Sequence, residues 1–212
     1  MICVSIGNKD INEIEAILDT ADFAELRYDL CNIPIEFIGS FFSENRKIIA
    51  TYRKVDGLDD SVRFEFLKKS IDYGAFYIDI DPETDSQFAS EIIGYARQKS
   101  CGIIASRHFF DSSLEIEGLK ELINNILGLN PDIVKIVFNP GEKDCIATIR
   151  QAYDYFSRAG QQAKLICFGL GEGAKSSRVE SFRLGAPFVY ACPDDGITTA
   201  AGQLSQSEAR QV

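Results

Sequence analysis

Four kinds of ionisable residue stand where short apolar runs would bury them. Lys135 lies inside DIVKIVF (132–138), in alternating phase with Ile133 and Val137. His108, the one histidine of the chain, closes the run IIAS in IIASRHFF (103–110). Glu25 and Arg27 share a side-chain phase in FAELR (23–27), and Arg53 follows KIIATY (47–52). An ammonium among hydrocarbon is costly unless it is paired. Lys135 is therefore either a structural lysine, paired or reaching to a rim, or a reactive amine that attacks a carbonyl to form an imine. Bringing a lysine from about 10.4 to about 7.5 takes roughly 4 kcal/mol of destabilisation of its cation. Desolvation and neighbouring arginines can supply it. A histidine with an ordinary pKa near 6.5 takes up and returns a proton near neutrality. As a lone residue, His108 also fits a bland reading, a satisfied core or surface side chain. On strands side by side, the lysine and histidine point to imine formation followed by proton abstraction next to the former carbonyl.

Residues so placed need strands to carry them. Apolar runs recur at 2–6, 23–27, 47–52, 76–80, 102–106, 132–138, 164–168 and 188–191. Most are rich in Ile, Val, Phe or Tyr, as buried parallel strands are. Helical spacing fills the intervals. Leu119, Leu122, Ile123, Ile126 and Leu127 form one apolar stripe behind a Ser112-x-x-Glu115 capping box. Ile146, Ile149, Tyr153 and Phe156 form another, and Phe88, Ile92, Ile93 and Ala96 a third. About eight strands alternating with seven or eight helices predict a single-domain (β/α)₈ TIM barrel over residues 1–212, an α/β fold. An open doubly wound sheet is the competing arrangement. In a barrel the chemistry sits at the C-terminal ends of the strands, which is where Glu25, Arg27, Arg53, His108 and Lys135 fall.

Composition narrows the partners. The 212 residues are 45% hydrophobic and 25% charged, ordinary for a globular chain. A net charge of −10 argues against nucleic acid and anionic membrane, which need a basic face, so an anionic substrate must be caught by local arginines. No apolar run approaches the ~18 residues of a membrane span, and MICVSIGNKD lacks a signal peptide's basic start. The six cysteines form no CxxC pair, and a single histidine offers no Cys/His zinc grouping. These features predict a reduced, cytoplasmic protein without a metal. Gly169, Gly171 and Ala174 in GLGEGAKSSR (169–178) match a dinucleotide fingerprint. Only one strand follows, too few for a nucleotide crevice, so a glycine-rich barrel loop with Arg178 as a bidentate anion clamp accounts for them better.

Taken in order, AELRYDL (24–30), TYR (51–53), IIASRHFF (103–110), DIVKI (132–136), SSR (176–178) and TAAGQ (199–203) resemble type I 3-dehydroquinate dehydratase, a cofactor-independent barrel lyase of the shikimate pathway of aromatic amino-acid biosynthesis. The resemblance implies an imine between Lys135 and the ketone of 3-dehydroquinate. It implies that His108 removes the alpha proton and then protonates the departing hydroxyl, giving a syn elimination to 3-dehydroshikimate. Arg178, Gln203 and Thr199 would grip the carboxylate region. Glu25, Arg27 and Arg53 would bind ring hydroxyls, and Phe168 and Ser5 would line the site. It also implies a homodimer and no cofactor. The chain departs from the pattern at Asp56, which replaces a glutamate that orients the histidine, at Phe109, and at Ala201. Asp56 is assigned the base-orienting contact. An aldolase acting on a sugar phosphate, and a non-catalytic barrel binding an organic anion, are the competing functions.

Overall fold

A computed structural model describes residues 1–42, 46–55, 57–81, 86–109, 115–140 and 145–212. Strands and helices alternate along the chain. The strands are β1 (Ile2–Ile6), β2 (Phe23–Arg27), β3 (Lys47–Thr51), β4 (Tyr77–Ile80), β5 (Gly102–Phe109), β6 (Ile133–Phe138), β7 (Lys164–Gly169), β8 (Val189–Cys192) and a two-residue β9 (Leu204–Ser205). The helices are α1 (Ile11–Leu18), α2 (Ile38–Phe41), α3 (Asp60–Asp72), α4 (Ser86–Gln98), α5 (Ile116–Leu127), α6 (Ile146–Arg158), α7 (Lys175–Arg183) and α8 (Gln206–Ala209). The sheet runs β7-β6-β5-β4-β3-β2-β1-β8-β9 with every pairing parallel. From β2 to β8 each strand follows its chain neighbour through a helix, which is the (β/α)₈ TIM-barrel arrangement and excludes the doubly wound order.

Among the described residues β7 and β8 share no ladder bonds. At the mouth, the segment before β9 ties that side together. The Gly171 amide donates to the Ala201 carbonyl at 3.4 Å, and Arg178 Nη2 donates to the same oxygen at 3.2 Å. The glycine-rich stretch is thus the β7–α7 barrel loop, with Gly171 at φ 98°, a conformation that favours glycine.

Both faces of each strand are covered, so the strands read as near-continuous apolar runs. Ile48, Ile78, Ile103, Val134 and Ile136 point outward and are buried under the helices, as are the apolar positions of α5 (Leu119, Ile123 and Ile126), which packs on β6 and α6. Two boundaries differ from the sequence expectation. β5 runs on to Phe109 because β6 continues to pair with it, His108 opposite Val137 and Phe109 opposite Phe138. Helix α5 begins only at Ile116, with Glu115 as its cap residue; Ser112 of the expected capping box lies outside the described residues. The six cysteines are free thiols, five of them buried. Among the described residues no helix is long and apolar enough to cross a membrane.

The end of β3 is fixed by an unusual core residue. Arg63 of α3 is 1% exposed. Its Nε donates to the Tyr52 carbonyl at 3.1 Å, and its Nη1 meets Asp60 at 2.6 Å. Its guanidinium lies 5.1 Å from the Phe88 ring centroid. The strand therefore stops at Thr51 and delivers Arg53 to the mouth. Replacing Arg63 by Ala is expected to lower the unfolding free energy by about 3 kcal/mol, from a cavity plus an unsatisfied carbonyl. Chemical denaturation measures it, and a loss below about 0.5 kcal/mol would contradict this role.

Candidate active site

The even-numbered strands send one layer of side chains to the barrel axis: Glu25 from β2, Asp79 from β4, Lys135 from β6 and Tyr190 from β8. Layers built from alternate strands are a property of this fold, but here the layer is ionic. Lys135 Nζ lies 3.0 Å from Asp79 Oδ2 and 3.6 Å from Glu25 Oε1. It also sits 4.1 Å from the centroid of the Tyr190 ring. Small hydroxyls on the odd strands fill the gaps. Ser5 donates to Glu25 Oε2 at 2.6 Å and Thr51 donates to Glu25 Oε1 at 2.9 Å. Ser106 donates to Asp79 Oδ1 at 2.5 Å. Arg53 closes the network, with Nη2 on Asp79 Oδ2 at 2.6 Å and Nη1 on the Ser106 hydroxyl at 2.5 Å. Two carboxylates and two cations balance, and every carboxylate oxygen accepts at least one hydrogen bond, as buried charges require.

This arrangement corrects the electrostatic expectation for the lysine. Its nearest charged neighbours are two acids, and Arg53 approaches it only across Asp79. Lys135 is buried at 4% exposure and held as an ion pair.

The field of the cluster falls on the groups around it. Burial alone would raise the Asp79 carboxyl, but Arg53, Lys135 and the Ser106 hydroxyl outweigh it and hold Asp79 well below the usual carboxylate range. His108 goes the other way. Burial and then the cations Arg53 and Lys135 push its pKa well below 6.5, against a smaller opposing pull from Asp79. The imidazole is therefore neutral at pH 7, able to accept a proton. Burial, with Glu25, Cys3 and Asp79 nearby, raises the Tyr190 phenol well above 10 and keeps it neutral.

Above the cluster opens a cavity of about 510 Å³ lined by Ser5, Glu25, Arg27, Arg53, His108, Lys135, Phe168, Arg178, Thr199 and Gln203, among others. Ten of the eleven residues singled out in the sequence meet there. The eleventh, Asp56, lies outside the described residues. Arg27 is held bidentately by Asp29, at 3.0 and 2.6 Å. Arg178, near the start of α7, stacks its guanidinium 4.3 Å from the Phe168 ring centroid. Thr199 bonds the Ser5 hydroxyl at 2.8 Å, and both its amide and its hydroxyl donate to Gln203 Oε1, at 3.0 and 3.2 Å. The 199–203 segment is thereby pinned over the mouth. Asp79, Tyr190 and Asp81 complete the site and were not singled out. For Asp79 the signal was present: an acid in the middle of FYIDI is as anomalous as a lysine in DIVKIVF.

Comparison with known proteins agrees with this geometry. A family model described as type I 3-dehydroquinase matches residues 2–212. A 3-dehydroquinate dehydratase of Desulfotalea psychrophila is 28% identical, over 100% of this chain and 96% of the relative. One of Thermococcus gammatolerans is also 28% identical, over 79% of this chain and 76% of the relative. Among solved structures, the type I 3-dehydroquinate dehydratase of Clostridium difficile, bearing covalently modified comenic acid, superposes with a TM-score of 0.86 at 20% identity, covering 99% of this chain and 89% of that one. The 3-dehydroquinate dehydratase of Aquifex aeolicus VF5 gives 0.80 at 19%, covering 100% and 96%. At such identities the structural likeness speaks for the fold.

The depressed histidine has a direct consequence. Because the folded state disfavours the imidazolium, the unfolded chain binds more protons below about pH 6.5. His108 then subtracts stability as pH falls from there toward its folded pKa. As the chain has one histidine, a single imidazole resonance reports it by NMR. That resonance is expected to keep its neutral shift through pH 6.5 and to titrate only well below; a midpoint at 6.5 or above would contradict the environment described.

Proposed function

The chain belongs to the type I 3-dehydroquinase family, and from that premise we propose that it is a carbon–oxygen lyase converting 3-dehydroquinate to 3-dehydroshikimate through an imine on Lys135. The observation that carries the reading is a buried amine beside a histidine whose surroundings keep it neutral, both facing one cavity. Imine chemistry followed by proton abstraction needs that pair, and an anion-binding barrel without turnover does not.

Lys135 Nζ adds to the substrate ketone, and the carbinolamine loses water to give an iminium. The amine attacks with its lone pair, its excess proton passing to the carbonyl oxygen that leaves as water, and Asp79 and Glu25 face the iminium that results. The iminium withdraws electrons from the adjacent carbon and acidifies its hydrogen. Neutral His108 takes that proton. The electron pair forms the new double bond as the neighbouring C–O bond breaks, and the imidazolium returns its proton to the departing hydroxyl, which leaves as water. Proton removal and return by one group on one face makes the elimination syn. Water then hydrolyses the conjugated iminium and frees the enone and the amine.

The remaining residues position the substrate. Arg178 and Gln203, with Thr199 between them, take the carboxylate, which an arginine grips bidentately. Arg27, with Arg53 and Glu25 beneath it, faces the ring hydroxyls, while Phe168 and Ser5 complete the walls. Arg53 and Glu25 already spend most of their hydrogen-bonding capacity inside the cluster, so their larger share of the work is to hold the charge around the imine. Asp56 is the candidate for orienting His108. The chemistry is carried by side chains without a cofactor. The same reading gives one catalytic domain over residues 1–212, acting in the cytoplasm as a homodimer in the shikimate route to aromatic amino acids. A sugar-phosphate aldolase is disfavoured because a carboxylate clamp, and no dedicated phosphate cradle, faces the amine among the described residues.

Turnover of 3-dehydroquinate, followed by the near-ultraviolet absorbance of the enone, is expected in the wild type and absent in Lys135→Ala. His108→Ala is expected to slow turnover by at least about 100-fold while a borohydride-reducible adduct accumulates. A wild type that binds 3-dehydroquinate without turnover would overturn the reading in favour of the non-catalytic barrel.

A further inference from the structure

The residue beneath the reactive nitrogen is Tyr190. It is 4% exposed, on the inward face of β8, opposite Cys3 in the ladder with β1. Its hydroxyl is buried and makes no hydrogen bond among the described residues, although such groups nearly always find a partner. A tyrosine placed for its hydroxyl would use it, so the feature in use is the ring. Its face lies 4.1 Å from Lys135 Nζ, well within the ~6 Å over which an aromatic face attracts a cation. The phenol stays neutral, so the contact is that of a π face and not of a phenolate.

We propose that Tyr190 is a positioning residue for the reaction, its ring the platform on which the Lys135 nitrogen rests in both its ammonium and its iminium form. This rests on the assignment of Lys135 as the imine-forming amine. Asp79 and Glu25 pull the nitrogen sideways toward β4 and β2, at 3.0 and 3.6 Å. The ring supplies the third direction, from β8, and thereby aims the nitrogen up into the cavity. The nitrogen's charge is thus set by Glu25 from β2, Asp79 from β4 and the ring from β8. His108 on β5, Cys3 on β1 and Arg53, which follows β3 and lies beyond Asp79, complete the titratable or charged surroundings, and Arg178 stands at the rim. Weakening the ring's π face destabilises the cation and leaves those groups unchanged, so the free amine becomes available at lower pH.

The test is the pH dependence of inactivation by sodium borohydride in the presence of 3-dehydroquinate, for the wild type, Tyr190→Phe, Tyr190→Leu, and a series carrying mono-, di- and trifluorinated phenylalanine at position 190. The fluorinated rings keep the shape of phenylalanine, so they fold even if the leucine variant does not. The phenylalanine variant is expected to retain the wild-type pH midpoint within about 0.3 unit, because the hydroxyl has no partner to lose. Across the fluorinated series the midpoint is expected to fall stepwise, by about one unit in total, with the leucine variant at or below the bottom of the range. A midpoint that stays constant from phenylalanine to its trifluorinated form would overturn the platform and reduce Tyr190 to packing. If the wild type yields no adduct on Lys135, the imine assignment fails first, and the platform falls with it.

Discussion

Two carboxylates and two cations occupy the axis of this barrel at the level where branched hydrocarbons would ordinarily fill it. Such a cluster is tolerable only when every charge is paired and every remaining lone pair is met by a donor. Lys135 and Arg53 meet Asp79, Lys135 also approaches Glu25, and the hydroxyls of Ser5, Thr51 and Ser106 satisfy the carboxylate oxygens. Six strands contribute a charge or hydroxyl that fails if its strand slips by one residue, since a slip turns each side chain outward. Removing one partner of such a pair typically costs about 3–5 kcal/mol. The register of the barrel and the chemistry of its mouth are therefore one constraint.

From the same cluster comes the division of labour between the two reactive groups. The acids that hold the lysine also face the cation that its imine would carry. The cations that balance those acids keep the histidine neutral, which suits a base. Acids beside the lysine and cations beside the histidine, two ladder positions apart on neighbouring strands, separate the roles of the two groups more securely than either residue type does alone. The rim adds what the cluster lacks, an arginine stacked on Phe168 and a glutamine locked to Thr199, both free of the central charge balance.

Much of this was readable before any coordinates. Alternation of short apolar runs with amphipathic stretches specified the barrel, because each period reports which face is covered. Lys135, His108, Glu25, Arg27 and Arg53 stood out because an ionisable group in a buried run demands a reason. What escaped has physical causes. Asp79 carried the same signal as Lys135, an ionisable group in an apolar run, but its pairing with Lys135 joins residues 56 positions apart that only closure of the barrel brings together. Tyr190 passed as an ordinary strand aromatic, since nothing in VYAC shows that a cation rests on its face. The extension of β5 through His108 depends on pairing with β6.

The central claim is that Lys135 is the nucleophile in an ion-paired barrel core. Its most direct test is mass spectrometry of the protein after reduction with borohydride in the presence of 3-dehydroquinate, with proteolytic mapping of the modified site. A single reduced adduct on the peptide containing Lys135, absent without 3-dehydroquinate, is the predicted result. An unmodified Lys135 in a protein that turns over the substrate, or an adduct confined to another lysine, would contradict the account.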